Sequence, residues 1–205
     1  ATSNGVDMNL FQVLELGDGN LLAYADSKHW LSTDGGVTFT ATTAYSSKGF
    51  AGGSTIVLHD GSYLNVKNNT IVKRSTDGGV TWTQVGTIDL GTGTKYSQPA
   101  EHLSEVKLDD GTYRIFYTAG NQASGQTDGI VTRSVISHVF YSDDNGATWK
   151  EAVNSPLDTS NLAYWCESHI IKIKDGPLIH YSSYNSSSSM RYSLSYDGGV
   201  TWEGD

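Results

Sequence analysis

The chain has 205 residues, with 13 basic against 22 acidic side chains and a net charge of −9. That balance opposes binding to nucleic acid or to anionic lipid, and the basic residues are scattered rather than gathered into a patch. With 23 Gly, 12 Tyr and only 3 Pro, and no helical apolar spacing sustained over three turns, the composition describes a turn-rich, aromatic-rich all-β protein.

In chain order, two turn motifs alternate. The first is Asp-Gly between apolar runs, at Leu16-Gly17-Asp18-Gly19-Asn20-Leu21-Leu22. Asp-Gly flanked in this way is the strongest short-range hairpin signal. The second is an eight-residue phrase, Ser-x-Asp-x-Gly-x-Thr-aromatic, first seen from Ser32 to Phe39. Its Asp is expected to accept backbone N–H groups two residues on, and its Gly residues to take positive φ, so the phrase predicts a second hairpin turn. The β-branched Thr suits a pleated strand, and the closing aromatic is large enough to anchor the hairpin on a neighbour.

The pair of motifs then recurs. Asp-Gly turns follow at Asp60-Gly61, Asp110-Gly111 and Asp175-Gly176, and the phrase returns from Ser75 to Trp82, Ser142 to Trp149 and Ser195 to Trp202. Each unit reads as strand, Asp-Gly turn, strand, loop, strand, box turn, strand, which is the content of a four-stranded propeller blade. Blades are expected at about 8–44, 45–92, 93–155 and 156–205 in one domain spanning 1–205. The phrase aspartates Asp34, Asp77, Asp144 and Asp197 stand 43, 67 and 53 residues apart. The surplus in the long interval lies in a polar Gly/Ser/Gln/Thr stretch from Asn121 to Val135, read as one extended loop. Four blades would make either a small closed ring or a contiguous part of a larger one, whose exposed terminal edges a further blade or partner chain would cover.

Cys166 is the lone cysteine and the six His show no paired spacing, so neither a disulfide, a metal set nor a cofactor is expected. No apolar run reaches membrane-spanning length and Ala1 opens no signal-like segment, which suggests a soluble, processed or excised piece. Asn68-Asn69-Thr70 and Asn185-Ser186-Ser187 fit the glycosylation acceptor pattern, which Asn/Ser-rich loops generate freely.

The four phrases resemble the Asp-box, or bacterial neuraminidase repeat, of the sialidase superfamily. The resemblance implies an Asp-box β-propeller in which Asp34, Asp77, Asp144, Asp197 and their aromatic partners Phe39, Trp82, Trp149 and Trp202 are structural and lie away from the active face. It also implies catalytic groups of known kind: three arginines on the substrate carboxylate, a Tyr nucleophile with a Glu base, and an Asp acid/base. One family pattern places Glu nine residues before the Gly of the Asp-Gly turn and Arg seven after it. Glu167 fits the first half and Glu101 misses it by one residue, but the Arg positions hold Asp26, Asn68, Thr118 and Ser183. Only four arginines are present, Arg74, Arg114, Arg133 and Arg191, and loss of the guanidinium fork removes the main grip on sialic acid.

If both turns of each blade share a face, the opposite face carries the remaining loops. Aromatic rings for sugar C–H faces and planar polar groups for hydroxyls are what a glycan site needs. The glycan-binding candidates are Tyr164, Trp165, His102, Tyr96, Asn185, Lys67 and Asp26, each with a plainer role as filler, solvated strand end or loop residue. Glu101 and Glu167 form a candidate carboxylate pair, and Tyr184 is a candidate nucleophile only in residue type. The composition and the resemblance together imply a carbohydrate-binding module, extracellular and at a cell or virion surface, for instance a phage receptor-binding domain. A sialidase-like exo-acting glycoside hydrolase or a fragment of one is the alternative, and a structural or protein-binding propeller the third reading. Carbohydrate is the expected partner; nucleic acid and membrane insertion are not.

Overall fold

A computed structural model describes residues 2–3, 6–7, 12–25, 28–45, 54–67, 70–90, 102–127, 130–154, 168–184 and 189–203. The described residues contain β-strands and turns and no helix. The chain divides into two compact units, residues 1–85 and 86–205.

The first unit opens with a short ladder of β1 (Thr2–Ser3) and β2 (Val6–Asp7). Sheet 1 follows as an antiparallel meander of β3 (Gln12–Glu15), β4 (Leu21–Ala25), β5 (Lys28–Ser32) and β6 (Thr40–Thr42). Sheet 2 repeats it with β7 (Ser54–Val57), β8 (Tyr63–Lys67), β9 (Ile71–Ser75) and β10 (Thr83–Thr87). Strand alternation decides what meets: Val13 and Glu15 face out while Leu14 and Leu16 are buried. Leu14, Leu16, Leu22 and Tyr24 of sheet 1 pack with Tyr63 of sheet 2, and Trp82 closes the cluster. Burial of such side chains is worth roughly 1.5–3 kcal/mol each, enough to fix the register, because a one-residue slip would turn them all to water.

In the second unit, sheet 3 contains β11 (His102–Lys107), β12 (Tyr113–Thr127), β13 (Ile130–Ser142) and β14 (Lys150–Glu151). Sheet 4 contains β15 (Ser168–Lys172), β16 (Leu178–Tyr184) and β17 (Ser189–Ser195). Its fourth strand is reduced to one antiparallel rung, in which Leu194 and Glu203 exchange backbone hydrogen bonds of 2.7 and 2.8 Å. Val106, Phe116, Val139 and Tyr141 of sheet 3 enclose a common core with Ile170, Leu178 and Trp202 of sheet 4.

The stretch from Asn121 to Val135 is not a loop. β12 and β13 stay paired from Ile115↔Ser142 out to Thr127↔Ile130, whereas among the described residues the pairing of β11 with β12 reaches only to His102↔Thr118. The backbone therefore continues as a two-stranded ribbon beyond the sheet. Its Gly, Ser and Gln content hid a ladder that needs only backbone groups.

All four box turns share one hydrogen-bond plan, and it differs from expectation in one respect. The carboxylate serves the Thr four residues on, not a residue two on: Thr38 N and Oγ1 reach Asp34 at 2.9 and 2.6 Å, and Thr148 N and Oγ1 reach Asp144 at 2.8 and 2.6 Å. The leading Ser hydroxyl donates to that carboxylate and accepts the N–H of the glycine four residues on, as in Ser195 Oγ to Asp197 at 2.8 Å and Gly199 N to Ser195 Oγ at 2.7 Å. The two-residue reach belongs instead to the Asp-Gly turns, where Asp18, Asp60 and Asp110 accept from Asn20, Ser62 and Thr112. Indole N–H groups complete three boxes: Trp82, Trp149 and Trp202 donate to the carbonyls of Gly79, Gly146 and Gly199 at 2.9–3.1 Å. Phe39 has no such donor.

Candidate functional site

The structure separates a turn end from an open end within each unit. In the first unit Tyr63, beside the Asp-Gly turn of sheet 2, is hydrogen-bonded to the backbone of Gly17 in the turn of sheet 1. In the second, Arg114 next to the sheet 3 turn contacts Gly198 in the sheet 4 box. The Asp-boxes thus lie on the turn end, with Asp34 and Asp77 held down at about 2, first by the Thr hydroxyl and then by the Thr backbone and the Ser. Such carboxylates are permanently ionised acceptors and suit architecture rather than proton transfer.

Two of the four arginines are also committed to the turn end. Arg74 bonds Ser62 Oγ at 2.8 Å and pairs with Asp60, while Arg114 bonds Asp143. Side-chain positions of Arg133 and Arg191 lie outside the described residues. The two guanidinium groups whose positions are described, those of Arg74 and Arg114, both stand at the turn end.

The open ends differ between units. In the first, the polar groups are sealed: Asn65 Nδ2 donates to Thr55 Oγ1 at 2.8 Å and to the Ser54 carbonyl at 3.2 Å, all three residues being buried. Tyr24, hydrogen-bonded to Thr55, is pushed up to about 12 by burial.

In the second unit the polar groups reach the surface. β11 and β15 are neighbours, and His102 at the start of β11 meets His169, the second residue of β15, with ring centroids 4.2 Å apart and tilted by 42°. Tyr181, the cross-strand partner of His169, stacks with it at 5.6 Å and 27°. Beneath the rings, Ser168 Oγ donates to Thr118 Oγ1 at 2.8 Å, and Thr118 Oγ1 reaches the His102 carbonyl at 3.5 Å. Both hydroxyls are buried, so this relay ties β15 to β12 and β11. The three rings are partly exposed. Burial, with the charge of His169 second, lowers His102 to about 4, and the same causes lower His180 to about 4. At neutral pH both imidazoles are uncharged, each offering one donor and one acceptor.

The face between sheets 3 and 4 is accordingly graded. Phe116, Tyr141, Leu178 and Trp202 fill the turn end, and Thr118, Ser168, His180 and Ser193 line the other, all of them buried. Of the residues expected at a glycan site, His102 lies in this cluster. Glu101, Glu167, Tyr164, Trp165, Tyr96, Asn185 and Asp26 lie outside the described residues. Lys67 ends β8 opposite Ile71, and Tyr184 ends β16 opposite Ser189 rather than sitting in a serine loop; their side chains are outside the description. His169, Ser168, Thr118 and Tyr181 were not singled out by the sequence. The available signal was their position: Ser168 and His169 follow Glu167 as Leu103 and Ser104 follow His102, each at a fixed distance before an Asp-Gly turn.

Residues 140–151 match the family model of the BNR/Asp-box repeat. No curated protein sequence matches the chain. Among solved structures, the chain is similar to an α-L-arabinanase of Penicillium chrysogenum complexed with arabinobiose, at 15% identity and TM-score 0.52, covering 94% of this chain and 64% of that one. It is also similar to a Hadza microbial sialidase, at 16% identity and TM-score 0.54, covering 94% of this chain and 45% of that one. A family 117 glycoside hydrolase of the marine bacterium Zobellia galactanivorans gives 14% identity and TM-score 0.54, covering all of this chain and 71% of that one. The chain therefore spans about half to two thirds of the length of the arabinanase and the sialidase. Its repeat is the Asp-box, and its fold is that of the sialidase-like propellers.

Proposed function

We propose that the chain is a carbohydrate-binding module that takes a neutral saccharide at the open end of sheets 3 and 4. One observation carries this reading: His102, His169 and Tyr181 form a partly exposed ring cluster over the buried Ser168–Thr118 relay. Rings suit sugar C–H faces, and the neutral His102 imidazole suits hydroxyls, which both donate and accept. A carboxylate sugar would need a cation, and the described arginine side chains are engaged at the turn end. The arabinanase of similar fold binds arabinobiose, a neutral disaccharide, which supports the class without naming the sugar. An extracellular setting, at a cell or virion surface, is where such a module would meet its ligand.

The test is a glycan array followed by titration of the best neutral hit. His102→Ala and His169→Ala should each weaken binding by roughly tenfold or more, in line with about 1.4 kcal/mol per decade, while leaving the melting temperature near the parent's. Binding confined to sialylated glycans, or unchanged in both variants, would overturn the proposal.

A glycoside hydrolase is the second reading, favoured by the sequence position of Glu101 and Glu167. Each immediately precedes the first residue of β11 or β15, the two strands whose ends meet. Turnover of aryl glycosides that disappears in Glu167→Gln would select it; array binding without turnover leaves the module.

A further inference from the structure

His180 is a polar side chain that sheet 4 buries without a partner. It is 3% exposed, and among the described residues nothing hydrogen-bonds its Nε2. Buried hydroxyls nearby and in the boxes are paired: Ser75, Ser142 and Ser195 each bond the Asp of their own box, and Ser168 bonds Thr118. A buried ring nitrogen left unpaired carries its full desolvation penalty, so a native fold that keeps one calls for a partner the chain does not supply.

The position of His180 says what that partner is. Phe116 and Leu178 flank Gly199 and belong to the apolar core between sheets 3 and 4. Towards the open end, the next residues on the same faces of β12 and β16 are Thr118 and His180. The Trp202 indole makes edge contacts with Phe116 at 6.3 Å and with His180 at 6.1 Å. Ile170 is the rung partner of His180 on β15, and Ser168 is the next residue on that face. His180 therefore stands where the apolar core gives way to the Ser168–Thr118 relay, with the buried Ser193 as its rung partner on β17. Ser168 spends its proton on Thr118, which leaves its oxygen able to accept. Burial, ahead of the charge of His169, keeps His180 uncharged at neutral pH, so Nε2 suits a group that both donates and accepts.

We infer that the saccharide site has an inner hydroxyl subsite at His180, where Nε2 hydrogen-bonds either a sugar hydroxyl or a water that the sugar orders. The inference rests on the saccharide reading of this open end and adds what determines its specificity. A buried group of this kind is matched by a hydroxyl and stranded by the analogue that lacks it, the arrangement that discriminates most strongly. His102, His169 and Tyr181 supply ring contact open to many sugars, and His180 selects one hydroxyl.

The probe is the neutral glycan that binds best on the array, with its analogues in which each hydroxyl in turn is replaced by hydrogen. Wild type should lose roughly ten- to a hundredfold in affinity for one of these analogues. In His180→Phe, which keeps a ring against Trp202, that glycan and that analogue should bind alike. His102→Ala tests the saccharide reading itself: it should weaken both while their ratio stays as in wild type. A crystal structure of the complex then shows whether the oxygen on Nε2 is the sugar's own or a water's, and no oxygen there would overturn the inference. So would analogues that all bind wild type within about twofold of the glycan, even with a water on Nε2, or discrimination that persists in His180→Phe. Each of these leaves the saccharide reading standing, whereas an array on which no neutral glycan binds ends that reading and the subsite with it. The analogue series and the crystal use wild type, so they decide even where His180→Phe does not fold.

Discussion

Arg114 Nη1 donates to the carbonyl of Gly198 at 2.7 Å, so a side chain of sheet 3 holds the box turn of sheet 4 from the other side of their shared core. Its Nε donates to Asp143 Oδ1 at 2.6 Å, and the guanidinium lies 4.5 Å from the centre of the Tyr141 ring. One planar cation thereby joins two box turns that are 53 residues apart between their aspartates.

Arg114→Met keeps the apolar stem and removes both charged hydrogen bonds, so it should cost about 1.5–3 kcal/mol of unfolding free energy. Arg114→Lys should recover little, since an ammonium cannot make the two divergent contacts at once. Urea unfolding of the three proteins decides this. A loss in the Met variant within error of zero would mean that packing of the apolar stem, and not the guanidinium, holds the turn.

Gly199 should be the least replaceable glycine of the boxes. A Cβ there would sit 2.4 Å from Phe116 Cε1, on a backbone at φ +91°. Phe116 is fully buried and cannot yield without opening the core. At Gly111, φ is +86° but nothing lies within 4 Å of the same added atom. Gly111→Ala should therefore cost about 1 kcal/mol of backbone strain, and Gly199→Ala that strain plus about 1–3 kcal/mol of overpacking. Equal losses in denaturant titrations would show that the box turn can back away from Phe116.

Acid should destabilise the fold in two separable steps. His102 and His180 are depressed from 6.5 to about 4, so the unfolded chain takes up their protons first. Their contribution is complete above pH 6.5 and is lost as pH falls through 6.5 towards 4. Asp34 and Asp77 are depressed from 3.8 to about 2, and their contribution is lost between those values. Melting temperature against pH should show a shallower upper slope in His102→Asn and a shallower lower slope in Asp77→Asn. Slopes unchanged by either substitution would contradict the assignment, whatever the absolute stability of the variants.

Among the described residues, the ribbon formed by the outer parts of β12 and β13 pairs only with itself beyond the rung Thr118↔Val139. Replacing residues 121–136 with an Asn-Gly turn joining Gly120 to Ser137 should leave the melting temperature of the sheet within a few degrees. A two-residue type I′ turn closes an antiparallel pair in this register. A collapse of the cooperative transition would mean that the ribbon packs on the body of the protein.

Much of this molecule is local, and what is local is legible. The boxes and Asp-Gly turns are closed by hydrogen bonds spanning two to four residues, such as Asp77 to Thr81 and Asp60 to Ser62, so their spacing in the chain already contains the hairpins. Four repeats of two such hairpins leave a four-stranded antiparallel sheet as the reading, and alternation picks out Leu14 or Val106 as core. The ribbon escaped because backbone ladders carry no side-chain signature when Gly, Ser and Gln fill them.

The sequence by itself determined the repeating sheet and the places of its turns along the chain. Tertiary structure alone decided that His169 meets both His102 and Tyr181, and that Ser168 reaches Thr118 across 50 residues. The physical reason is range. A turn is fixed by neighbours in the chain, whereas a ring contact or a buried hydroxyl pair depends on how two sheets, each complete in itself, are set face to face.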